Sequence, residues 1–167
     1  IERMPGGDDT RYISAGPTPD LGGIYVNCNR GKRSVVLNLR EEADKVARRP
    51  PNAHLMAEAA TLPPGRALDA GCGHGADTLW LAARGWQVTA VDFSGTALAH
   101  GRSMAEAAGA DVVTRVDWLE RDLATWTAEP GHYDLVVSLY VHVAGSVDDL
   151  VGRMANGVAP GGTLLLV

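Results

Sequence analysis

From Pro63-Pro64-Gly65 onward, short apolar runs and amphipathic stretches alternate strictly. Ala67-Leu68, the segment Gln87 to Asp92, Val112 to Val116 continued by Trp118 and Leu119, and Leu135 to Leu139 read as four strands. The last of these is almost wholly apolar, without the polar alternation of a one-sided sheet. Such runs suit a parallel sheet covered on both faces. Between them lie helical signals. After Ser94, the residues Ala97, Leu98, Gly101, Met104, Ala105 and Ala108 recur at three- and four-residue spacing up to Gly109. Ser146 caps a further helix, with Asp148 and Asp149 in its first turn and Val147, Leu150, Val151, Met154 and Val158 facing inward. Pro160-Gly161-Gly162 then turns the chain into a final strand, Thr163 to Val167. Strand, helix and strand in strict succession predict an α/β fold: a doubly wound, mostly parallel, Rossmann-like sheet.

The first 40 or so residues are written in another style. Pro5 to Asp9 and Gly16 to Gly23 are rich in turn formers, and only Ser34 to Leu39 reads as a strand. Glu41 to Arg49 reads as a helix stopped by Pro50-Pro51, and Asn52 caps another that carries Leu55, Met56 and Ala59 on one face. Residues 1–45 are therefore expected to be an extension without a core of their own, and 46–167 the folded domain.

Composition narrows the function classes. With 167 residues and 46% hydrophobic content the chain can bury one core. Its 15 basic and 20 acidic residues give a net charge of -5, which argues against bulk attraction to nucleic acid or to anionic membranes. Cys28 and Cys72 form no Cys-x-x-Cys pair, so neither a disulfide framework nor a metal site is indicated. The chain shows no apolar stretch of membrane-spanning length and no signal-peptide pattern, so the cytoplasm is the expected compartment. Arg30, Lys32 and Arg33 form a short basic cluster that could meet phosphates or simply be solvated.

The chemistry concentrates at Asp69-Ala70-Gly71-Cys72-Gly73-His74-Gly75, between the first strand and the helix that follows it. Glycines there let the backbone take positive φ and let a ligand lie against the main chain, where the next helix offers free amides. Asp92 falls at the tip of the second strand, about 20 residues on, where a carboxylate can accept from a ribose diol. Together these predict a nucleoside-cofactor site. A dinucleotide fingerprint would place its third glycine at position 76, which is Ala76. An alanine is tolerated there, so an NAD(P)-dependent oxidoreductase fragment stays open as an alternative.

The run Asp-x-Gly-x-Gly-x-Gly resembles motif I of the class I S-adenosylmethionine-dependent methyltransferases. The resemblance continues in order through Thr78 to Gly85, Val91-Asp92-Phe93-Ser94, Arg121-Asp122-Leu123, Tyr133 to Ser138 and Ala159 to Leu166. It covers residues 50–167 and implies S-adenosylmethionine as cofactor. By that likeness Asp69, Gly71 and Gly73 surround the methionine portion, and Gly75 opens the helix behind it. Asp92 holds the ribose hydroxyls, and Asp122, followed by Leu123, accepts from the adenine amino group. Phe93 packs on the adenine face or is core, and Asp122 could instead be a surface carboxylate paired with Arg121. Ser138 and Tyr140 follow the fourth strand, at the edge where ligands of open α/β sheets bind, with Ser138 a candidate cofactor contact and Tyr140, like His142, a candidate catalytic residue. His142, between Val141 and Val143, is a candidate base or a partly buried histidine, and His74 is equally ambiguous.

The acceptor is expected to be a small molecule, because the Asn/Asp-Pro-Pro-Tyr/Phe sequence of nucleic-acid and protein amide methyltransferases is absent after the fourth strand. A complete member of the family would continue past the final strand. The chain is thus expected to be truncated, with Thr163 to Val167 an apolar edge prone to self-association. Residues 1–40, with Asn27-Cys28-Asn29-Arg30-Gly31-Lys32-Arg33-Ser34, resemble an early part of family III CoA-transferases. Two partial families joined near Arg40 to Arg49 suggest a fused reading frame, and a non-catalytic remnant of either is the further alternative.

Overall fold

The computed structural model describes residues 50–141 and 145–167, all within the unit Arg49–Val167. The expected strand Ser34 to Leu39, the expected helix Glu41 to Arg49, the basic cluster at Arg30, Lys32 and Arg33, and His142 lie outside the described residues.

The first described element is helix α1 (Ala53–Ala59), where the Asn52 side chain accepts from the His54 amide. The chain continues through β1 (Arg66–Ala70), α2 (Ala76–Ala83), β2 (Gln87–Asp92), α3 (Gly95–Ala108), the single turn α4 (Ala110–Val113) and β3 (Val116–Glu120). Then come β4 (Tyr133–Ser138), α5 (Val147–Asn156) and β5 (Val158–Leu166). Ser94 and Ser146 cap α3 and α5 through their hydroxyls, as the sequence predicts.

All five strands run parallel, in the order β3-β2-β1-β4-β5. The chain winds outward from β1 to β3, crosses back over β1, and winds the other way through β4 and β5. Its direction reverses between β1 and β4, and ligands of open α/β sheets bind at the carboxyl ends of the strands at such a point.

Both faces are covered. On one, Leu55 and Ala59 of α1, Leu81 and Ala82 of α2 and Ala105 of α3 pack with Ala67, Val88, Leu135 and Val137. On the other, Leu150 and Met154 of α5 meet Leu68, Ala70, Val91 and Val136, helped by Leu123 and Ala128 from the β3–β4 connection. Trp86, Leu55, Leu68 and Leu81 are fully buried. Each aliphatic side chain so buried contributes about 1.5–3 kcal/mol of transfer free energy.

Two expected elements shift. The β-branched run at Val112 reads as a strand, yet Val112 and Val113 donate to the Gly109 carbonyl at 3.1 and 3.2 Å and form a helical turn. That turn buries Val112 against α2 and α3, which an extended chain leaving Gly109 would not do, so β3 starts only at Val116. The final strand starts earlier than expected. Val158 belongs to β5 and not to the preceding helix, which ends at Asn156. Pro160-Gly161-Gly162 does not reverse the chain; it forms an irregularity within β5, with Tyr133 opposite Val158 and Leu135 already opposite Thr163. Gly161, at φ 79°, absorbs the extra residues. None of the described helices is long and apolar enough to cross a membrane.

Candidate functional site

The turn after β1 is held from beneath by main-chain hydrogen bonds. Gly71 and Cys72 both donate to the Val91 carbonyl at the end of β2, at 2.8 and 3.1 Å, and Gly75 donates to the Cys72 carbonyl at 2.9 Å. Gly71, Gly73 and Gly75 take φ of 85°, 52° and 84°, a region costly for any side chain. Their surroundings separate them. A Cβ on Gly71 would strike Cγ2 of Val141, and one on Gly75 would lie 2.5 Å from the Trp118 ring. Among the described residues, a Cβ on Gly73 would meet nothing within 4 Å. Gly73 is thus where the main chain lies open to a ligand, while Gly71 and Gly75 are glycines because protein fills the space beside them.

Asp92 closes the turn onto β2. Its Oδ2 accepts from the Gly73 amide at 2.9 Å and its Oδ1 from the Ser94 amide at 2.8 Å. Each carboxylate oxygen has two lone pairs, so one remains on each. The same carboxylate can clamp the loop and still accept two hydroxyls. Sequence spacing pointed to the ligand role only; the clamp joins residues 19 apart and has no local signature.

Asp69 lies under the turn and faces α2. It is 3% exposed, and its Oδ2 accepts from Thr78 Oγ1 at 2.5 Å. Burial raises its pKa to about 7; the Thr78 hydrogen bond opposes this, and the charges of Asp77 and Asp92 add to it. Burial also raises the neighbouring Asp77, against a hydrogen bond from the Asn52 amide to its Oδ1 at 2.6 Å. Burial pushes the Cys72 thiol well up, with Asp69 and Asp92 adding to the effect. Sequence reasoning missed Thr78, Asp77 and Asn52; only a buried carboxyl at Asp69 would have required a donor such as Thr78.

The other candidates line the carboxyl edge. Phe93 is 77% exposed, which excludes its core alternative. Asp92 pairs with Glu120 across β2 and β3, so Asp122 falls just beyond the neighbouring strand end. Asp122 is exposed, with its Oδ1 accepting from the Ala124 amide at 2.8 Å. Arg121 donates instead to the Glu120 carbonyl at 2.7 Å. Leu123 turns its side chain into the second core, and its carbonyl accepts from Arg153 Nη2 at 2.9 Å. Ser138 is buried at the end of β4, beside β1. Tyr140 is 64% exposed and takes φ of 56°, the only non-glycine residue among those described with a positive value. Such backbone strain in a non-glycine residue recurs at functional sites. The Tyr140 amide donates to the Val167 carbonyl at 2.7 Å, and the Val167 amide to the Ser138 carbonyl at 3.2 Å, so the end of β5 fixes the turn. Exposed His74 packs edge-on against His100, with centroids 5.2 Å apart. Two surface clefts, of about 270 and 290 Å³, lie at the opposite, amino end of the strands, away from all these residues.

Comparison with known proteins agrees with this geometry. Residues 67–162 match the family model "Methyltransferase domain", and residues 1–49 match "CoA-transferase family III". A trans-aconitate 2-methyltransferase of Streptomyces avermitilis is 40% identical over 131 residues, covering 73% of this chain and 45% of that protein. Among solved structures, a glycopeptide N-methyltransferase complexed with S-adenosyl-L-methionine superposes with a TM-score of 0.60 at 25% identity, covering 70% of this chain and 54% of that one. An S-adenosylmethionine-dependent methyltransferase from Mesorhizobium loti gives 0.55 at 30% identity, covering 66% and 50%. The chain therefore spans about half the length of the relatives it matches.

Proposed function

The chain belongs to the methyltransferase-domain family, of the class I type that uses S-adenosylmethionine, and from that premise we propose that its Asp69–Gly75 turn binds this cofactor for methyl transfer to a small-molecule acceptor. The observation that carries the reading is the clamp of Gly73 on Asp92, with no described residue over Gly73 and one lone pair on each Asp92 oxygen left by its described partners. Gly73 presents main chain to the methionine portion, Gly71 lets the turn pack on Val141 behind it, and Asp69 is held at the end of β1 by Thr78. Asp92 accepts the ribose hydroxyls, and exposed Phe93 offers an apolar face to the adenine. Asp122 retains its second oxygen for the adenine amino group, while Leu123 anchors that turn in the core. Ser138 and Tyr140 border the acceptor side. An NAD(P)-dependent reading lacks comparable support.

The cofactor supplies an electrophilic methyl on a sulfonium. What remains for the protein is alignment of the acceptor with that methyl, and orientation alone can carry several orders of magnitude in rate. The name of the Streptomyces relative favours a small organic acid as acceptor. A carboxylate is already deprotonated near neutral pH, so it needs no general base.

Titration calorimetry with S-adenosylhomocysteine, NADH and CoA tests the cofactor. Micromolar binding of the first, abolished in Asp92→Ala, is expected, and binding only to NADH or CoA overturns the reading. Mass spectrometry after incubation with S-adenosylmethionine and trans-aconitate tests the acceptor class: a methyl ester is expected, and its absence from a chain that binds the cofactor counts against an organic acid.

A further inference from the structure

The clamp joins two elements that carry it separately. Gly73 rides on the turn that enters α2, and Asp92 with Ser94 forms the entry to α3. Between these elements, beside the glycine two residues beyond Gly73, lies the ring of Trp118. Trp118 sits on β3 opposite Ala90 of β2, and its carbonyl accepts from Arg102 Nη2 at 3.0 Å. A Cβ on Gly75 would lie 2.5 Å from its Cη2 and 3.0 Å from Cζ3. A Cβ on Gly101 of α3 would lie 2.5 and 2.6 Å from the same two atoms, and 3.3 Å from the His74 carbonyl oxygen. One end of one ring therefore occupies the space left by two glycines, one on each carrier of the clamp. Gly75 caps α2 in the left-handed region, with the Trp118 ring packed beside it.

We propose that Trp118 is a positioning residue for the cofactor turn: its ring is the spacer that sets the turn against α3 and so keeps the Gly73 amide on Asp92. It acts through Gly75 and Gly101, the two glycines that the end of its ring faces. Position 101 must be glycine because the ring fills the place of its side chain, and not merely because α3 packs closely there. The consequence for ligand binding rests on the cofactor reading above, whereas the effect on the clamp does not.

The test is a double-mutant cycle on the full chain, read in two ways. Amide exchange of Gly73 reports the clamp without ligand, and calorimetry with S-adenosylhomocysteine reports binding. Gly101→Ala is expected to speed Gly73 exchange and weaken binding about tenfold, whereas in a Trp118→Leu background the same substitution changes either quantity less than about threefold. Equal effects in both backgrounds, or no effect in either, overturn the proposal. If Gly101→Ala does not fold, Trp118→Phe and Trp118→Leu decide: Leu speeds Gly73 exchange about fivefold and Phe, which keeps a ring, by less, and identical exchange in Leu and wild type overturns the role. A purely structural role for Trp118 would lower the melting temperature and speed Gly73 exchange no more than that of core amides such as Val136. Wild-type protein that shows this coupling but binds no S-adenosylhomocysteine would refute the cofactor reading and leave the spacer standing.

Discussion

Replacing Asp69 by Asn should change how stability depends on pH more than it changes stability at any one pH. Asp69 is buried against Thr78, and its pKa is raised from 3.8 to about 7 in the folded chain. Between those values the folded state holds a proton that the unfolded state has lost. Stability therefore falls as pH rises from about 4 towards 7, and the full penalty is present above 7. At ~1.4 kcal/mol per pH unit, the interval bounds the penalty at about 4 kcal/mol, and relaxation and water penetration reduce it. The amide introduced by Asp69→Asn cannot ionise, and its carbonyl can still accept from the Thr78 hydroxyl. Urea unfolding followed by far-UV circular dichroism at half-unit steps from pH 4.5 to 8 measures the effect. Wild type should lose about 1–4 kcal/mol more than Asp69→Asn across that range. Thr78→Val removes the hydrogen bond that opposes the shift and should move the loss to higher pH. Asp77 also has a raised pKa and is common to both proteins; its charge adds to the Asp69 shift, so the difference reports Asp69 together with that coupling. Parallel pH profiles for wild type and Asp69→Asn would refute the assignment of a strained, buried carboxyl beneath the turn.

Gly71→Ala combines a φ of 85° with a clash on Val141 and should destabilise by about 1–3 kcal/mol in chemical unfolding, partly restored by Val141→Ala. The Cys72 thiol, raised by burial and two nearby carboxylates, should react with a thiol reagent at pH 7.5 at least tenfold more slowly than after unfolding in urea. That is measured in Cys28→Ser, and equal rates would contradict it. Among the described residues strand β5 ends the sheet order, with Leu166 and Val167 exposed, and from that edge we expect sedimentation velocity to show concentration-dependent association. Leu166→Lys should suppress it, and a monodisperse monomer across the accessible concentrations would count against an open apolar edge.

Much of the fold was legible because each signal was local. The caps at Asn52, Ser94 and Ser146, the apolar run of β4 and the stop at Gly109 each act within a few residues, and each lies where the sequence put it. The misplacements arose where local preference met packing. Val112 has the side chain of a strand, but burial beside Leu81 and Ala105 is available to it only in a turn. Pro160-Gly161-Gly162 has the composition of a turn before the strand, yet β5 already pairs with β4 at Val158 and takes these residues up as an irregularity within it.

For the site, residue identity and order pointed to a nucleoside cofactor at the turn after β1, and the ordered succession of motifs, by resemblance, to S-adenosylmethionine. Glycine spacing and the carboxylate at Asp92 carried the first step, because strand, turn and helix follow one another directly there, and left an NAD(P) site open. How that chemistry is held emerged only from the folded chain. Asp92 clamps Gly73, Thr78 supports Asp69, Trp118 spans Gly75 and Gly101, and Phe93 stands in solvent instead of the core. Each of these depends on which strand lies beside which. Strand order is set by the burial of whole faces and not by neighbouring residues, so no local pattern could disclose it.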